Sequence, residues 1–287
     1  MIKYPFPVHY LEIDPKIKMA YCEEGQGETT LLFIHGLANY IPVFKYNIKP
    51  LSEKFRCIAI DLPGNGLSSR EDYPFTMHFY AESVARFIQQ KGLKKVVLIG
   101  HSMGGHVSLM VSLRYPELVS HLVLFAPSGL EVFTDVEKNW FKGLLHLGSF
   151  VYSDAMSLET VIKQSYYHNQ KTGSEAIIHD LKLLMTGEKG KYWRKMVKTN
   201  IEAMLDEPVF PFLGELQVKV LLLMGEQDLL IPNRLIHLTD TAAKIGARAA
   251  TVMQNCTLEV YPKCGHFVQI EEANAVNLRI QDFLAIP

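Results

Sequence analysis

Short apolar runs that alternate with helical patterns constrain the fold of this chain most. Six short runs rich in leucine and β-branched residues lie at 30–34, 57–60, 96–99, 122–125, 220–223 and 258–261, and most of them are apolar on both faces. This pattern is typical of central strands in a parallel sheet, because both faces of such a sheet are covered. Two upstream runs, at 10–13 and 18–22, alternate in polarity and predict edge strands. The sequence therefore predicts an α/β fold with a mostly parallel, eight-stranded sheet and helices on both faces.

Residues 127–217 interrupt this alternation. A strand-to-strand crossover needs only about 10 to 12 residues, far fewer than this connection contains. Amphipathic patterns near residues 135–151, 158–168, 175–185 and 191–205 predict helices. We therefore predict a helical cap, or lid, over residues 127–217, inserted after strand 6. The core that carries the sheet would then consist of residues 1–126 and 218–287.

Charge and composition limit the class of partner. The chain of 287 residues has a formal net charge of −1 and no clustered excess of Lys and Arg, which argues against a nucleic-acid partner and favours a small-molecule substrate. The amino terminus lacks a signal-peptide pattern, and no apolar run approaches spanning length, so we expect a cytoplasmic protein without membrane insertion. The four cysteines show no C-x-x-C spacing, and neither a metal nor a cofactor is predicted.

The motif Gly100-His101-Ser102-Met103-Gly104 follows the run at 96–99 directly and precedes an apolar helical pattern. A strand, a sharp turn and a helix with serine at the turn predict a nucleophile elbow, in which the hydroxyl stands above the carboxyl edge of the sheet. The flanking glycines are needed where a side chain would clash. The amino end of the helix favours an oxyanion beside Ser102. The alternative interpretation is a plain glycine-rich turn.

A nucleophilic serine requires a general base and an acid that orients the base. His266 closes the last predicted strand, and Asp228 lies just beyond the penultimate one. The order Ser, Asp, His is typical of this arrangement. Asp61 and Glu226 are alternatives for the acid. Asp61, however, lies in a turn where aspartate commonly caps backbone N–H groups, and the Glu226 side chain is expected to point away.

Stabilisation of an oxyanion requires two N–H donors. The first expected donor is the backbone N–H of Met103, the residue after the nucleophile. The second expected donor is the N–H of Leu37, because the strand at 30–34 ends in His35-Gly36-Leu37 and Gly36 permits a close turn. A strand-terminating glycine without this role is the alternative.

Together these motifs resemble the α/β-hydrolase superfamily. They occur in family order across essentially the whole chain: His35-Gly36-Leu37, Asp61-x-Pro-Gly-x-Gly-x-Ser68, Gly-His-Ser102-Met-Gly-Gly, Gly-x-x-Asp228 and Gly-His266. The resemblance implies the α/β-hydrolase fold, with Ser102, Asp228 and His266 as catalytic triad. The segment 127–217 corresponds to the cap that many members place after the sixth strand.

The resemblance also narrows the chemistry. Family dehalogenases and epoxide hydrolases carry aspartate at the position of Ser102, so the resemblance argues against these two activities. Proline iminopeptidases typically carry tryptophan at the position of Met103 and acidic residues in the cap, so it argues against peptidase activity as well. Carboxylesterases, meta-cleavage C–C hydrolases, perhydrolases and thioesterases stay open. Residues 264–271 resemble the C–C hydrolases, except that Phe267 stands where they tend to have tryptophan. A slow-turnover small-molecule receptor is a further alternative.

The predicted activity is hydrolysis of a small, apolar or aromatic carboxylic ester through an acyl-enzyme. The expected cap is rich in aromatic and methionine side chains, and a lid over a water-excluding site has to present apolar groups. The aromatic residues concerned are Phe133, Trp140, Phe141, Phe150, Tyr152, Tyr166, Tyr167, Tyr192 and Trp193.

Overall fold

The computed structural model describes residues 3–146, 155–167, 174–184 and 187–285. Within these residues the backbone forms one sheet of eight strands. Numbered along the chain, they are β1 (His9–Asp14), β2 (Ile17–Glu24), β3 (Thr30–Ile34), β4 (Arg56–Ile60), β5 (Val96–His101), β6 (Val119–Phe125), β7 (Lys219–Gly225) and β8 (Cys256–Tyr261). Each overlaps one of the eight runs in the sequence, so the strand prediction is confirmed.

The sheet is mostly parallel. Its strands lie in the order β1-β2-β4-β3-β5-β6-β7-β8, and β2 alone is antiparallel to its neighbours β1 and β4 among the described strands. Every residue of β3 and β5 is buried. Because successive side chains of a strand point to opposite faces, both faces are covered at the centre of the sheet. The predicted sheet architecture is confirmed.

Helices connect and cover the strands. The described α-helices are α1 (Lys45–Leu51), α2 (Met77–Gln90), α3 (Met103–Arg114), α4 (Asp135–His146), α5 (Ala155–Gln164), α6 (Ser174–Leu184), α7 (Gly187–Asp206), α8 (Ala242–Val252), α9 (Val268–Glu271) and α10 (Ala273–Ala285). Helix α2 begins after Thr76, whose side chain accepts a hydrogen bond from the Phe79 N–H at 3.0 Å and so caps the helix. Its buried face packs against α3, while α1 packs against α10. None of the described helices combines the length and apolar character needed to cross a membrane.

Helices α4 to α7 lie between β6 and β7, where the sequence predicts helices. Tyr80 donates a 3.0 Å hydrogen bond to the Asn200 side chain, and Tyr40 donates to the Asp180 carboxylate, so both α7 and α6 contact the part of the chain that carries the sheet. Of the predicted helical residues, 147–151, 168 and 185 lie outside the described residues. The division into a cap over 127–217 and a core over 1–126 and 218–287 stays a prediction.

Parallel strands place four loops at one edge of the sheet. The loops after β3, β5, β7 and β8 leave at the carboxyl ends of these strands. They carry Leu37, Ser102, Asp228 and His266 respectively. The fold therefore collects the predicted site residues at the edge where open α/β sheets bind their ligands.

Candidate active site

Ser102 occupies the sharp turn between β5 and α3. Its backbone has φ +53° and ψ −119°, a conformation that non-glycine residues rarely adopt. A Cβ atom on Gly104 would lie 2.1 Å from the Ile34 carbonyl oxygen, and one on Gly100 would lie 2.5 Å from the Gly104 carbonyl oxygen. Glycine is therefore required on both sides of the serine, as the elbow interpretation predicts.

Backbone hydrogen bonds fix this strained turn. The Ser102 N–H donates to the Phe125 carbonyl at 3.0 Å, which ties the serine to the end of β6. The Ser102 carbonyl accepts from Gly105 at 2.9 Å, from His106 at 3.2 Å and from Ser128 at 3.0 Å. The serine is thus held by the helix that follows it and by the neighbouring strand, and this network maintains the unusual conformation.

The structure brings His266 and Asp228 into direct contact. His266 Nδ1 lies 2.7 Å from Asp228 Oδ2, and both side chains are buried. An ionised carboxylate only accepts, so the imidazole donates its Nδ1–H and keeps Nε2 as an acceptor. The other oxygen, Asp228 Oδ1, accepts from the backbone N–H groups of Leu230 at 2.8 Å and Ile231 at 3.0 Å. Asp228 is therefore fixed in a position that orients the His266 ring.

The backbone of His266 is held on both sides. Its N–H donates to the Ser165 carbonyl at 2.7 Å, and its carbonyl accepts from His101 Nε2–H at 3.1 Å. Burial and the adjacent His266 ring hold the pKa of His101 well below its ordinary value, so His101 is neutral at physiological pH. The contact between His101 and His266 joins residues far apart in the chain, and no local motif in the sequence signals it.

The expected oxyanion donors lie beside Ser102. Met103 is the first residue of α3, so its N–H has no carbonyl partner within the helix. The N–H of Leu37 donates to no acceptor within the part of the chain that the structure describes. A Cβ atom on Gly36 would lie 2.9 Å from Ser102 Cβ, so the turn passes against the serine. The role of Leu37 and Met103 stays a prediction, and their positions are compatible with it.

His35 fixes the turn that carries Leu37. Its Nε2 accepts from the Leu62 N–H at 3.0 Å, and its Nδ1–H donates to the Gly36 carbonyl at 2.8 Å. Burial lowers the pKa of His35 to about 4, which keeps the ring neutral and able to accept at Nε2. In the sequence His35 belongs to the His35-Gly36-Leu37 motif, but no local pattern indicates this bonding role of its side chain.

The two alternative acids are engaged elsewhere. Asp61 accepts from the backbone N–H groups of Ile41 and Leu67, each at 2.8 Å, and from the Tyr4 hydroxyl at 2.5 Å. This capping role is the one expected for an aspartate in a turn. Burial raises the pKa of Asp61 to about 6. The Glu226 side chain is exposed, so neither residue replaces Asp228 beside His266.

Ser102 and His266 both line a cavity of about 630 Å³, a volume typical of small-ligand sites. Much of its wall is apolar and includes Phe133, Phe141, Ile162, Met204, Leu230 and Phe267. Of the aromatic residues predicted in the cap, Phe133 and Phe141 line this cavity, whereas the Trp140 side chain is exposed and Tyr166 and Trp193 are buried. Phe150 and Tyr152 lie outside the described residues.

The cavity wall also contains a few charged groups. These are Glu131, Lys138 and Arg234. Glu131 follows β6 without a recognisable motif, so it could not be predicted from the sequence. Among the residues that the structure describes, no three His, Cys, Asp or Glu side chains come together in a way that could hold a metal ion.

The sequence model of the α/β hydrolase fold family matches residues 29–174, just over half of the chain. The chain therefore belongs to the α/β hydrolase fold family, and the resemblance predicted from the motifs is confirmed.

The chain is similar to named proteins over most of its length. The chain is 26% identical over 303 residues to the 2-hydroxy-6-oxononadienedioate/2-hydroxy-6-oxononatrienedioate hydrolase of Escherichia coli (strain K12), covering 96% of this chain and 94% of that protein. It is 27% identical over 279 residues to the dihydrolipoyllysine-residue acetyltransferase component of the acetoin cleaving system of Cupriavidus necator, covering 93% of this chain and 67% of that protein. The crystal structure of a probable hydrolytic enzyme from Pseudomonas aeruginosa PAO1 superposes with a TM-score of 0.83 at 25% identity, covering 98% and 95% of the two chains.

Proposed function

We propose that the protein is a serine hydrolase that cleaves a small, mainly apolar or aromatic carboxylic ester through an acyl-enzyme. The observation that carries the proposal is that Ser102 and His266 border one mainly apolar cavity while His266 is hydrogen-bonded to Asp228 at 2.7 Å. Membership of a hydrolase family supports the same reaction class.

Acylation begins with proton transfer. His266 Nε2 removes the Ser102 hydroxyl proton, and the Ser102 oxygen attacks the ester carbonyl carbon. The negative charge that develops on the carbonyl oxygen is stabilised by the N–H groups of Leu37 and Met103. Asp228 stabilises the imidazolium. The alcohol leaves with the proton from His266, and the acyl group stays on the Ser102 oxygen.

Deacylation repeats these steps with water. His266 takes a proton from water, whose oxygen attacks the acyl carbon, and the same N–H groups bind the second oxyanion. The bond to the Ser102 oxygen then breaks, the serine regains a proton from His266, and the carboxylic acid leaves. In this proposal residues 127–217 act as a cap that limits access of bulk water to the cavity.

A second candidate is hydrolysis of a C–C bond in a 2-hydroxy-6-oxo-dienoate. The identity to the E. coli hydrolase over 96% of this chain favours it. The residue after the proposed base is Phe267, where C–C hydrolases tend to have tryptophan. Its ring stacks on Tyr166 with centroids 4.5 Å apart. A substrate series distinguishes the two candidates.

The test is turnover of p-nitrophenyl esters from acetate to decanoate by wild type, Ser102→Ala and Ser120→Ala, with a 2-hydroxy-6-oxo-dienoate in parallel. Ser120 is a suitable control because it lies near the opposite end of β6 from the site. We expect Ser102→Ala to lose roughly 10^3-fold or more of kcat and Ser120→Ala to retain wild-type turnover. Cleavage of the dienoate alone would favour the second candidate, and ester turnover that persists in Ser102→Ala would contradict both.

A further inference from the structure

A carboxylate lies on the wall of the cavity that contains Ser102. Glu131 lines this cavity, and its side chain is only 9% exposed. A charged group in a largely apolar wall is costly unless it is paired or hydrogen-bonded. The partners of Glu131 therefore indicate whether the residue is only a structural group.

One of its two carboxylate oxygens is fully used by the protein. Glu131 Oε1 accepts from the Asn233 N–H at 2.8 Å and from His237 Nδ1 at 2.7 Å. His237 is itself fixed, because its ring stacks on Phe133 and its Nε2 lies 3.8 Å from Glu137 Oε1. These contacts hold the Glu131 side chain in one orientation.

The second oxygen is available. Within the described part of the chain, Glu131 Oε2 accepts no hydrogen bond. Burial raises the pKa of Glu131, and the His237 and Asn233 contacts only partly oppose this effect. An orientated carboxylate with one unused oxygen, set in the wall of a ligand cavity, is an acceptor for a donor group on a bound molecule.

The other two charged side chains of the wall, Arg234 and Lys138, are cationic. Arg234 donates to the backbone carbonyls of Asp228 at 2.9 Å and Asp240 at 3.1 Å, so its guanidinium holds the loop after β7. Lys138 Nζ lies 3.7 Å from the exposed Asp135 carboxylate and has a charge that favours an anionic group instead. If Lys138 rather than Glu131 determines selectivity, esters with an anionic group should be preferred.

Glu131 lies within reach of a substrate bound at Ser102. The Ser128 N–H donates to the Ser102 carbonyl, and Glu131 follows Ser128 by three residues. Consecutive Cα atoms are 3.80 Å apart, so the Cα atoms of Ser128 and Glu131 are at most about 11 Å apart. Ser102 and Glu131 line the same cavity, so a substrate attacked by Ser102 can bring a second group, outside its ester, to Glu131.

We propose that Glu131 is a specificity-determining residue that accepts a hydrogen bond from a hydroxyl or ammonium group on the distal part of an otherwise apolar ester. This inference rests on the proposed function, because it assumes that the bound molecule presents its ester to Ser102. Selectivity arises because a bound substrate without the donor displaces water from Glu131 Oε2 and leaves this oxygen without a hydrogen bond.

The test uses p-nitrophenyl esters of phenylacetic acids that differ only in the para substituent: ethyl, hydroxymethyl, aminomethyl or carboxyl. The rigid ring keeps the substituent from attacking its own ester. Wild type should show kcat/KM roughly 10- to 100-fold higher for a donor-bearing ester than for the ethyl ester, the range expected for a hydrogen bond to a charged group. The hydroxymethyl and aminomethyl esters distinguish the two kinds of donor.

Variants assign the selectivity to one side chain. Glu131→Gln retains an acceptor for Asn233 and His237 but loses the charge, so it should abolish a preference for the aminomethyl ester. Glu131→Leu should abolish preference for either donor. Glu137→Gln is the matched control, because Glu137 also faces His237 but does not line the cavity, and its ratios should match wild type. Melting temperatures verify that each variant is folded. If Glu131→Leu fails to fold, the loss of preference for the aminomethyl ester in Glu131→Gln still tests the inference.

Three outcomes overturn the inference. Equal kcat/KM for the ethyl and donor-bearing esters would show that Glu131 accepts no hydrogen bond from the substituent. A preference for donor-bearing esters that persists in both Glu131 variants would show the same. A preference for the carboxyl ester would assign the selectivity to Lys138 instead. In each of these cases the ethyl ester is still hydrolysed, so the proposed function stands. Failure to hydrolyse any of the esters would overturn the proposed function together with the inference.

Discussion

The backbone N–H of His266 donates a 2.7 Å hydrogen bond to the carbonyl oxygen of Ser165, just after helix α5. Around this bond the Glu271 carboxylate accepts from the Gly265 N–H and from the Tyr167 N–H, each at 2.8 Å. The Tyr166 and Phe267 rings stack almost in parallel, at 6°. The segment after α5 and the loop that carries the proposed base therefore form one packed unit.

Glu271→Ala should impair the positioning of His266. Its removal leaves two backbone N–H groups without their charged acceptor, and a small displacement of a catalytic group costs roughly a hundredfold in rate. We expect kcat to fall roughly 10- to 100-fold with a smaller change in KM, and Glu271→Gln to restore part of the rate. Ester kinetics of these variants and of the neighbouring control Glu272→Ala test this. Equal losses in the 271 and 272 variants would refute a positioning role.

Asp228→Asn should lose most activity without loss of the fold. An amide in this position no longer fixes the tautomer with a proton on Nδ1, and such a change costs roughly 10^4-fold in kcat in comparable triads. Glu226→Gln makes the same chemical change two residues away on an exposed side chain and should retain activity. If both variants turned over p-nitrophenyl esters equally, Asp228 would not be the acid.

Gly104→Ala should destabilise the protein. The added Cβ would lie 2.1 Å from the Ile34 carbonyl oxygen, which belongs to the backbone and cannot rotate away. We expect the free energy of unfolding to fall by about 3 kcal/mol or more. In Gly143→Ala the Cβ meets nothing within 4 Å, and alanine in a helix interior should raise stability by about 0.5–1 kcal/mol. Urea denaturation compares the two, and a stable Gly104→Ala protein would contradict the close packing at the elbow.

Buried neutral histidines should make stability depend on pH. Burial lowers the pKa of His106 to about 4 in the folded protein, whereas an exposed histidine titrates near 6.5. Between these values the unfolded chain binds more protons, so stability rises with pH across the window and is lost on acidification.

His106→Gln isolates this contribution. Glutamine can still donate to the Glu207 carbonyl, which His106 Nε2 contacts at 2.9 Å, but it does not titrate. The loss of unfolding free energy between pH 6.5 and 4 should be smaller than in wild type by about 3 kcal/mol. An identical loss in both proteins, measured by urea denaturation at several pH values, would show that His106 is not buried in its neutral form.

Structural features that depend on neighbouring residues could be predicted from the sequence. The strands, their parallel arrangement and the turn at Ser102 could be predicted because local sequence patterns indicate each of them. Asp228 and His266 are readable because both follow strands that end at one edge of the sheet. Their contact is now observed, while their catalytic roles stay predictions.

Contacts between segments that are distant in the chain could not be predicted from the sequence. Glu131 meets Asn233 and His237 about a hundred positions further along the chain, and no periodicity links them. The same holds for the bond between Ser165 and His266. Such pairs depend on how loops pack after the sheet has formed, and a single sequence carries no local signal for them.

Covalent labelling of Ser102 tests the central claim most directly. Diethyl p-nitrophenyl phosphate reacts when an activated serine oxygen attacks phosphorus and p-nitrophenolate leaves. We predict release of one equivalent of p-nitrophenolate from wild type, a diethylphosphoryl adduct mapped to Ser102 by peptide mass spectrometry, and no adduct in folded Ser102→Ala. A folded wild-type protein that stays unlabelled, or an adduct that persists in Ser102→Ala, would contradict the assignment of Ser102 as the nucleophile.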